Sequence, residues 1–361
     1  MDYKVKDCVK KSVYADLLEI ASSNADWEKL KNSTVLITGA AGFIGYYLVV
    51  SLLLRNDLHN DGITVLALVR NEEKAKEKFG NLLERGDLQL CVQDVTKRIK
   101  ADRADYVIHA ASQASNIQFE TDPVGTINAN LLGTENVLDF AKNNDAKATL
   151  IVSSLKVYGI LYGEKQTISE EDIGYLDFTS YKNCYAMGKR ASETLAASYY
   201  KECGMNIKLA RPSYIYGASS LDDDRVWAQF IANIVRGQDI LLKSNGAANR
   251  SFCYVSDTVT ALLFVLLNGE NVFPYNISNE ASNTTIRNFA KTACEVFPER
   301  NLQLVFANPQ DAQEPRTILS PLTQVPEILC NARLKALGWE PKVNLCEGIR
   351  RSVAVLEESI V

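Results

Sequence analysis

The stretch TVLITGAAGFIGYYL, residues 34–48, decides the fold, because a β-branched apolar run passes directly into a glycine-rich turn. Gly39, Gly42 and Gly45 follow the run at three-residue intervals. Glycines permit a tight turn, and they let a pyrophosphate approach the backbone N–H groups at the positive end of the next helix. The stretch therefore predicts a strand, a phosphate-binding turn and a helix, as at the start of a dinucleotide-binding unit.

Further apolar runs follow at intervals that leave room for helices between them. The six runs, in chain order, are TVLITG, ITVLALV, LQLCVQD, YVIHAA, ATLIVSS and NIKLARP. Short apolar runs that alternate with helical patterns indicate a parallel sheet buried on both faces. We predict an α/β fold, with a Rossmann-type doubly wound parallel sheet and a smaller mixed α/β substrate-binding region at the C-terminal end.

The regular alternation of apolar runs with helical patterns ends after Pro212. We predict a helical N-terminal extension over residues 1–33 and a dinucleotide-binding Rossmann core over 34–212, completed by parts of 254–280. Residues 213–253 and 281–361 are predicted to form the substrate-binding region over the carboxyl ends of the strands.

Composition excludes several classes of protein. The formal net charge is -5 and no basic tract occurs, so neither nucleic acid nor an anionic membrane is an expected partner. The eight cysteines form no Cys-x-x-Cys pair and the chain has only two histidines, so we expect no metal site. The N-terminus lacks the apolar core of a signal peptide, and we expect a cytoplasmic protein with reduced thiols.

Tyr185 and Lys189 lie four residues apart in the helical stretch NCYAMGKRASETL. Residues at that spacing share one helical face, so an ammonium group can favour the phenolate and lower the pKa of the tyrosine. Such a tyrosine can take a proton from an alcohol. The alternative is a solvated helix face, because the spacing alone is common.

An ordered series of motifs resembles the extended short-chain dehydrogenase/reductase family of NAD-dependent epimerases and dehydratases. The series is TGAAGFIG, QDV, HAAS, NLLGTENVL, SSLKVYG, the Tyr185/Lys189 pair, ARPSYIYG and RSFCYVSD. Within the family, HAASQAS, DDDRVWAQFI and LGWEPKVNLCEGI are most similar to the branch of UDP-glucuronate decarboxylase and dTDP-glucose 4,6-dehydratase. The resemblance implies NAD as cofactor and a nucleoside diphosphate sugar as substrate.

The resemblance also implies roles for individual residues, with Ser154, Tyr185 and Lys189 as the catalytic set. Together with the glycine turn, the expected cofactor-binding residues are Gly39, Gly42, Phe43, Ile44, Gly45, Arg70, Asp94, Val95, Ala110, Ala111, Tyr185, Lys189 and Pro212. The expected substrate-binding residues are Ser112, Lys156, Tyr214, Arg225, Val226, Arg250 and Arg316. Asp94 has the alternative of a surface turn, and His109 is expected to be a packed histidine and not a catalyst.

Four positions depart from the family pattern. Lys156 stands where decarboxylases and dehydratases have an acidic residue, and Lys182 stands where the decarboxylase branch has an arginine. Tyr214 replaces an asparagine found in many relatives. Arg70 follows the second strand in place of an acidic side chain, and an arginine there suits the 2′-phosphate of NADP, with a surface arginine that has no cofactor role as the alternative.

The leading hypothesis is an enzyme that transiently oxidises the sugar of a nucleotide sugar at C4. Epimerisation needs only Ser154, Tyr185 and Lys189, whereas dehydration or decarboxylation would call on another carboxylate, such as Glu120 or Asp122. The alternatives are an NADPH-dependent reductase of keto-sugar nucleotides and a non-catalytic dinucleotide sensor. The resemblance further implies a homodimer.

Overall fold

A seven-stranded parallel sheet forms the centre of the computed structural model, which describes residues 3–313 and 323–358. The described residues contain twelve strands, seven of which form this sheet. They are β1 (Thr34–Thr38), β2 (Thr64–Val69), β3 (Leu88–Val92), β4 (Tyr106–His109), β5 (Ala148–Val152), β6 (Ile207–Pro212), β7 (Tyr214–Tyr216), β8 (Ile240–Leu242), β9 (Asn249–Tyr254), β10 (Pro274–Ile277), β11 (Asn283–Thr285) and β12 (Leu304–Phe306). The central sheet has the order β10-β6-β5-β4-β1-β2-β3. The six apolar runs of the sequence supply six of these seven strands, which confirms the predicted fold class.

Helices cover both faces of this sheet. The twelve helices of the described residues, of which only some lie on the sheet, are α1 (Val5–Cys8), α2 (Lys11–Ala21), α3 (Phe43–His59), α4 (Glu72–Phe79), α5 (Asn116–Thr121), α6 (Pro123–Asn143), α7 (Cys184–Cys203), α8 (Val226–Val235), α9 (Val255–Asn268), α10 (Ile286–Glu295), α11 (Ala332–Ala336) and α12 (Leu345–Glu357). Short 3-10 turns occur at Trp27–Leu30, Gly80–Glu84, Leu155–Tyr158, Tyr181–Asn183, Glu280–Ser282, Pro298–Arg300 and Pro309–Ala312. No helix in the described ranges is long and apolar enough to cross a membrane.

The first strand illustrates why the runs are apolar throughout. Val35 and Ile37 belong to the hydrophobic cluster that contains the residues of α3 and α9, whereas Leu36 packs in the cluster of α6 on the other face. All three side chains are fully buried. Successive side chains of a strand point to opposite faces, so a strand covered on both sides must be apolar at every position.

The chain after β6 builds a smaller region beside the carboxyl ends of the strands. It contains a three-stranded sheet in the order β11-β9-β7, the parallel pair β12-β8, and the mutually packed helices α8, α10 and α12. Between these elements, β10 returns to the central sheet and pairs with β6. The division of the chain into three parts stays a prediction.

The N-terminal helix α2 packs against α3, α9 and α12. Its Asp16 is fully buried, accepts a hydrogen bond from the Tyr254 hydroxyl at 2.8 Å and forms an ion pair with Arg351 at 3.0 Å. Burial raises the pKa of the Asp16 carboxyl to about 6, and its hydrogen bonds to Tyr254 and Arg351 oppose that rise. The residues before β1 are therefore joined to the C-terminal helix by a buried polar contact.

The turn between β1 and α3 requires its glycines. Gly39 has a φ of +69°, and a Cβ on it would lie 2.8 Å from the Cα atom of Ala111. A Cβ on Gly45 would lie 2.2 Å from the carbonyl oxygen of Gly39. The absence of these side chains lets the turn, the first turn of α3 and the end of β4 approach one another.

We expect Gly45→Ala to lower the free energy of unfolding by about 1–3 kcal/mol, because the added methyl group overlaps backbone atoms that cannot rotate away. The matched control is Gly86→Ala in an exposed turn, where an added Cβ would meet no atom within 4 Å. That variant should change stability by less than about 0.5 kcal/mol. Urea denaturation measures both values, and equal stabilities of the two variants would contradict the close approach.

Candidate active site

A cavity of about 710 Å³ lies at the carboxyl ends of β1, β4, β5 and β6. Its wall includes the glycine turn, residues 110–112 after β4, residues 152–156 from the last residue of β5 onward, and residues 212–215 from the last residue of β6 into β7. Parts of the smaller region, among them Trp227 and Phe252, complete the wall. Ligands of open α/β sheets bind in this crevice, so the cavity is the candidate site.

Most of the residues singled out from the sequence meet in this cavity. From the expected cofactor-binding set, the wall contains Gly39, Gly42, Phe43, Ile44, Gly45, Arg70, Ala110, Ala111, Tyr185, Lys189 and Pro212. From the expected substrate-binding set, it contains Ser112, Lys156, Tyr214, Arg225, Val226 and Arg250. Ser154 lines the same cavity.

Three expected residues are not among those that line it. The Asp94 carboxylate accepts the backbone N–H of Thr96 at 2.8 Å, as in the surface turn that was its alternative. Val95 is buried in the cluster under α6, because its side chain faces the sheet and not the crevice. Arg316 lies outside the described residues.

Tyr185, Ser154 and Lys189 are brought together by α7 and the end of β5. Tyr185 lies in the first turn of α7 and hydrogen-bonds Ser154, the second residue after β5. The Lys189 ammonium lies 5.8 Å from the centre of the Tyr185 ring and donates to the carbonyl oxygen of Val152 at 2.8 Å. Phe119 stacks on the Tyr185 ring with centroids 5.0 Å apart. The phenol is thus held on three sides.

The electrostatics of this group differ in one respect from the expectation. Burial raises the pKa of Tyr185, while the hydrogen bond from Ser154 and the charge of Lys156 oppose that rise. Burial lowers the pKa of Lys189 to about 8. The spacing of the sequence pointed to Lys189 as the cation beside the phenol, whereas the charge that opposes the rise in the pKa of Tyr185 is that of Lys156.

His109 is a packed residue, as expected. The ring is buried, and its Nδ1 lies 2.8 Å from the Thr38 hydroxyl, which also accepts the backbone N–H of Ala111 at 3.1 Å. Burial, with the nearby charge of Lys189, lowers the pKa of His109 to about 3. The neutral ring therefore joins β1 to the turn after β4 and has no role as a general base near neutral pH.

Glu327 is the residue that sequence reasoning missed. Its carboxylate accepts hydrogen bonds from Lys156 at 2.8 Å and Tyr214 at 2.6 Å, and it forms an ion pair with Arg250 at 3.0 Å. Its sequence context, TQVPEIL, matches no motif and predicts no regular element. The only available signal was indirect, since cations expected in a pocket need a counter-ion when they are partly buried.

Glu120 and Asp122, the carboxylates that the sequence suggested for dehydration or decarboxylation, do not face the cavity. Glu120 accepts a hydrogen bond from the exposed Tyr181, and Asp122 caps the N-terminus of α6 through the N–H of Gly125. Neither lines the cavity, and Lys182 is exposed outside it. Helix capping explains the position of Asp122, because the first N–H groups of a helix lack partners within the helix.

The cavity wall is cationic. Six basic side chains line it: Arg70, Lys74, Lys156, Lys189, Arg225 and Arg250. No Asp or Glu lines it in the described part of the chain. Phosphate oxygens suit such a wall, and the bare glycine turn at the N-terminus of α3 leaves room for a pyrophosphate. The residues present therefore fit a dinucleotide beside a second phosphorylated ligand.

Comparisons with known proteins agree on one family. The model of the NAD dependent epimerase/dehydratase family matches residues 35–279. UDP-glucuronic acid decarboxylase 6 from Arabidopsis thaliana is 33% identical over 320 residues, which cover 88% of this chain and 87% of the relative. This similarity extends beyond the glycine turn to most of the chain.

Solved structures share the fold. UDP-glucose 4-epimerase from Thermotoga maritima, solved with UDP-glucose, matches with a TM-score of 0.74 at 23% identity, over 91% of this chain and 100% of that one. UDP-glucuronic acid 4-epimerase from Bacillus cereus, solved with UDP-glucuronic acid and NAD, matches with a TM-score of 0.71 at 18% identity, over 90% and 99% of the two chains. At these identities the likeness concerns the fold.

We expect the ring signals of His109 to stay constant between about pH 5 and pH 8, the range in which a free histidine titrates. The physical reason is that burial lowers its pKa to about 3, so the ring is already neutral. NMR of the imidazole nuclei measures this, and the His59→Gln variant, which leaves His109 as the one histidine of the chain, assigns the signals. A His109 signal that moves in this range would contradict the packed, neutral ring.

Proposed function

The chain belongs to the NAD dependent epimerase/dehydratase family, and we propose that it transiently oxidises the sugar of a nucleoside diphosphate sugar at C4. The observation that carries this proposal is the contact of Tyr185 with Ser154 in a cationic cavity that also contains Lys189 and the glycine turn. A proton acceptor, a hydroxyl-orienting group and a dinucleotide cradle are the parts that alcohol oxidation needs.

The residues divide the chemistry among them. Tyr185 removes the proton from the sugar hydroxyl, while Ser154 hydrogen-bonds the same oxygen and fixes its orientation. Lys189, anchored to the Val152 carbonyl, would hydrogen-bond the ribose of the cofactor. NAD, when bound, accepts hydride from the carbon and later returns it. Because the hydride is returned, the cofactor is recycled and no second substrate is consumed.

The cofactor of this family is NAD, and the glycine turn supports its binding in this chain. Gly39, Gly42 and Gly45 would hold the pyrophosphate at the N-terminus of α3. Arg70 is exposed at the edge of the cavity. We assign it to the adenosine end of the dinucleotide, where NADP would use it to bind the 2′-phosphate.

The residues at the end of the cavity away from the glycine turn suit a ligand that contains a diphosphate and a sugar. Arg225 and Arg250 offer guanidinium groups for phosphate oxygens, and Lys156 and Tyr214 lie beside them. Epimerisation at C4 is the outcome that the geometry favours, because it needs no carboxylate in the cavity wall. Decarboxylation of UDP-glucuronic acid is the second candidate, supported by the 33% identity with the Arabidopsis decarboxylase.

Two further proposals concern the surroundings of the site. A homodimer through α6 and α7 is supported by their packing into one layer, on which Leu131 and Leu132 remain more than a third exposed. A cytoplasmic location is supported by eight cysteines that are all unpaired, since thiols persist in reducing compartments.

We expect the purified protein to release about one NAD per chain when it is denatured, because a recycled cofactor need not leave between turnovers. Mass spectrometry identifies the dinucleotide. NMR of product mixtures from UDP-glucose, UDP-glucuronic acid and the dTDP-, CDP- and GDP-hexoses identifies the reaction. An empty protein that consumes NADPH on a keto-sugar nucleotide would contradict the proposal and favour a reductase.

We expect Tyr185→Phe to lower kcat by about 10²- to 10⁴-fold with NAD still bound, because the variant loses only the proton acceptor. The matched control is Tyr200→Phe, which removes an exposed hydroxyl from the same helix. Initial rates with the active nucleotide sugar measure both. A Tyr185→Phe enzyme as fast as the Tyr200→Phe control would exclude the assigned role.

A further inference from the structure

A buried ion pair lies behind the wall of the cavity, where α7 passes the ends of β5 and β6. Its members are Glu193 of α7 and Arg211 of β6. The guanidinium group donates to both carboxylate oxygens, from Nε at 2.9 Å and from Nη2 at 2.6 Å. The two side chains are only 12% and 13% exposed, and neither residue lines the cavity. The pair therefore stands behind the wall and does not face a ligand.

The carboxylate of this pair also binds Ser153, the first residue after β5. The Ser153 hydroxyl donates to Oε1 of Glu193 at 2.5 Å, and its backbone N–H donates to the carbonyl oxygen of Ala210 in β6 at 2.7 Å. A carboxylate that accepts a bidentate guanidinium and a hydroxyl is well compensated, so its charge can stay buried. The side chain and the backbone of Ser153 are thus both fixed.

The residues on either side of Ser153 make the contacts of the catalytic set. The Val152 carbonyl accepts a hydrogen bond from Lys189 at 2.8 Å, and the Ser154 hydroxyl hydrogen-bonds Tyr185. The backbone of Ser154 is extended, with φ of -164° and ψ of 155°. Neighbouring side chains of an extended segment point in opposite directions. The Ser153 side chain therefore reaches the ion pair while that of Ser154 reaches Tyr185.

The helix α7 presents its side of these contacts on one face. Tyr185, Lys189 and Glu193 follow one another at intervals of four residues, so they lie one above the other. The charge of Glu193 opposes the fall that burial imposes on the pKa of Lys189. One face of α7 thus meets residues 152–154 at three points, and Glu193 provides the one that lies outside the cavity.

We propose that Glu193 is a positioning residue, which is held by Arg211 and fixes the segment 152–154 against α7 through the Ser153 hydroxyl. The inference rests on the proposed function, in which Ser154 orients the sugar hydroxyl and Lys189 binds the cofactor ribose. A small displacement of either group slows the chemical step, because the reacting atoms lose their alignment. Glu193 acts without touching the substrate, so its effect should fall on kcat and not on KM.

Hydrogen exchange in the holoprotein, followed by mass spectrometry, measures how firmly the segment is held. Ser153→Ala removes the hydroxyl and leaves the ion pair of Glu193 with Arg211 in place. We expect peptides that cover residues 150–158 to exchange at least about threefold faster in this variant, because local opening becomes easier. Unchanged exchange over these residues would overturn the proposal.

The matched control is Ser192→Ala, which removes a buried hydroxyl from the residue beside Glu193. That hydroxyl donates to the carbonyl oxygens of Asn130 and Gly188 and not to the segment 152–154. The control should lose a similar amount of stability and leave exchange over residues 150–158 unchanged. An equal increase in both variants would show a general loosening of α7, which would overturn the proposal.

Steady-state kinetics with a nucleotide sugar that the wild-type protein converts give the catalytic readout. Ser153→Ala should lower kcat about tenfold and change KM by less than about twofold, whereas Ser192→Ala should change both by less than about twofold. Ser153→Thr restores the hydroxyl and should recover most of the lost kcat. A Ser153→Ala enzyme as fast as the Ser192→Ala control would contradict the positioning role.

A double-mutant cycle tests whether the ion pair acts through Ser153. Glu193→Met combined with Arg211→Met removes the acceptor without leaving an unpaired buried charge. This double variant should speed exchange over residues 150–158 in the wild-type background and add little in the Ser153→Ala background. Equal effects in both backgrounds would overturn the role assigned to Glu193. The exchange measurement needs no substrate, so it decides whether Glu193 holds the segment even if inactivity on every nucleotide sugar ends the proposed function.

Discussion

The close approach of three backbone segments is the constraint on which the site depends. The β1–α3 turn, the first turn of α3 and the end of β4 can meet only because Gly39 and Gly45 carry no side chain. The same absence leaves the N–H groups of α3 open to a pyrophosphate. Buried His109, bonded to Thr38, then joins β1 to the residues after β4. One steric condition thus shapes both the fold and the dinucleotide end of the cavity.

Charge organises the other end of the cavity. Cations that are partly buried need compensation, and here it comes from carboxylates placed behind the wall. Asp223 forms an ion pair with Arg225, and Glu327 forms ion pairs with Lys156 and Arg250. The wall therefore presents donors to a ligand while the protein remains stable without it.

Much of the site was predictable because its residues lie in short stretches of sequence with recognisable local patterns. The glycine turn, the Tyr185/Lys189 spacing and Ser154 after a strand all depend on local geometry, and all of them line the cavity. Asp94 was not separable from a turn aspartate, because capping a nearby N–H and contacting a ligand use the same side-chain chemistry. Val95 was assigned to the crevice, but in the turn after β3 its side chain packs in the buried cluster under α6.

The sequence by itself determined the parallel sheet, the dinucleotide turn and the pairing of Tyr185 with Lys189, because strand burial, glycine freedom and helical spacing act within a few residues. Only the tertiary structure decided the partner of Lys156. Lys156 and Glu327 are 171 positions apart, and no local preference relates them. Their contact depends on how the last third of the chain folds back over the ends of the strands, and the packing of the whole molecule sets that path.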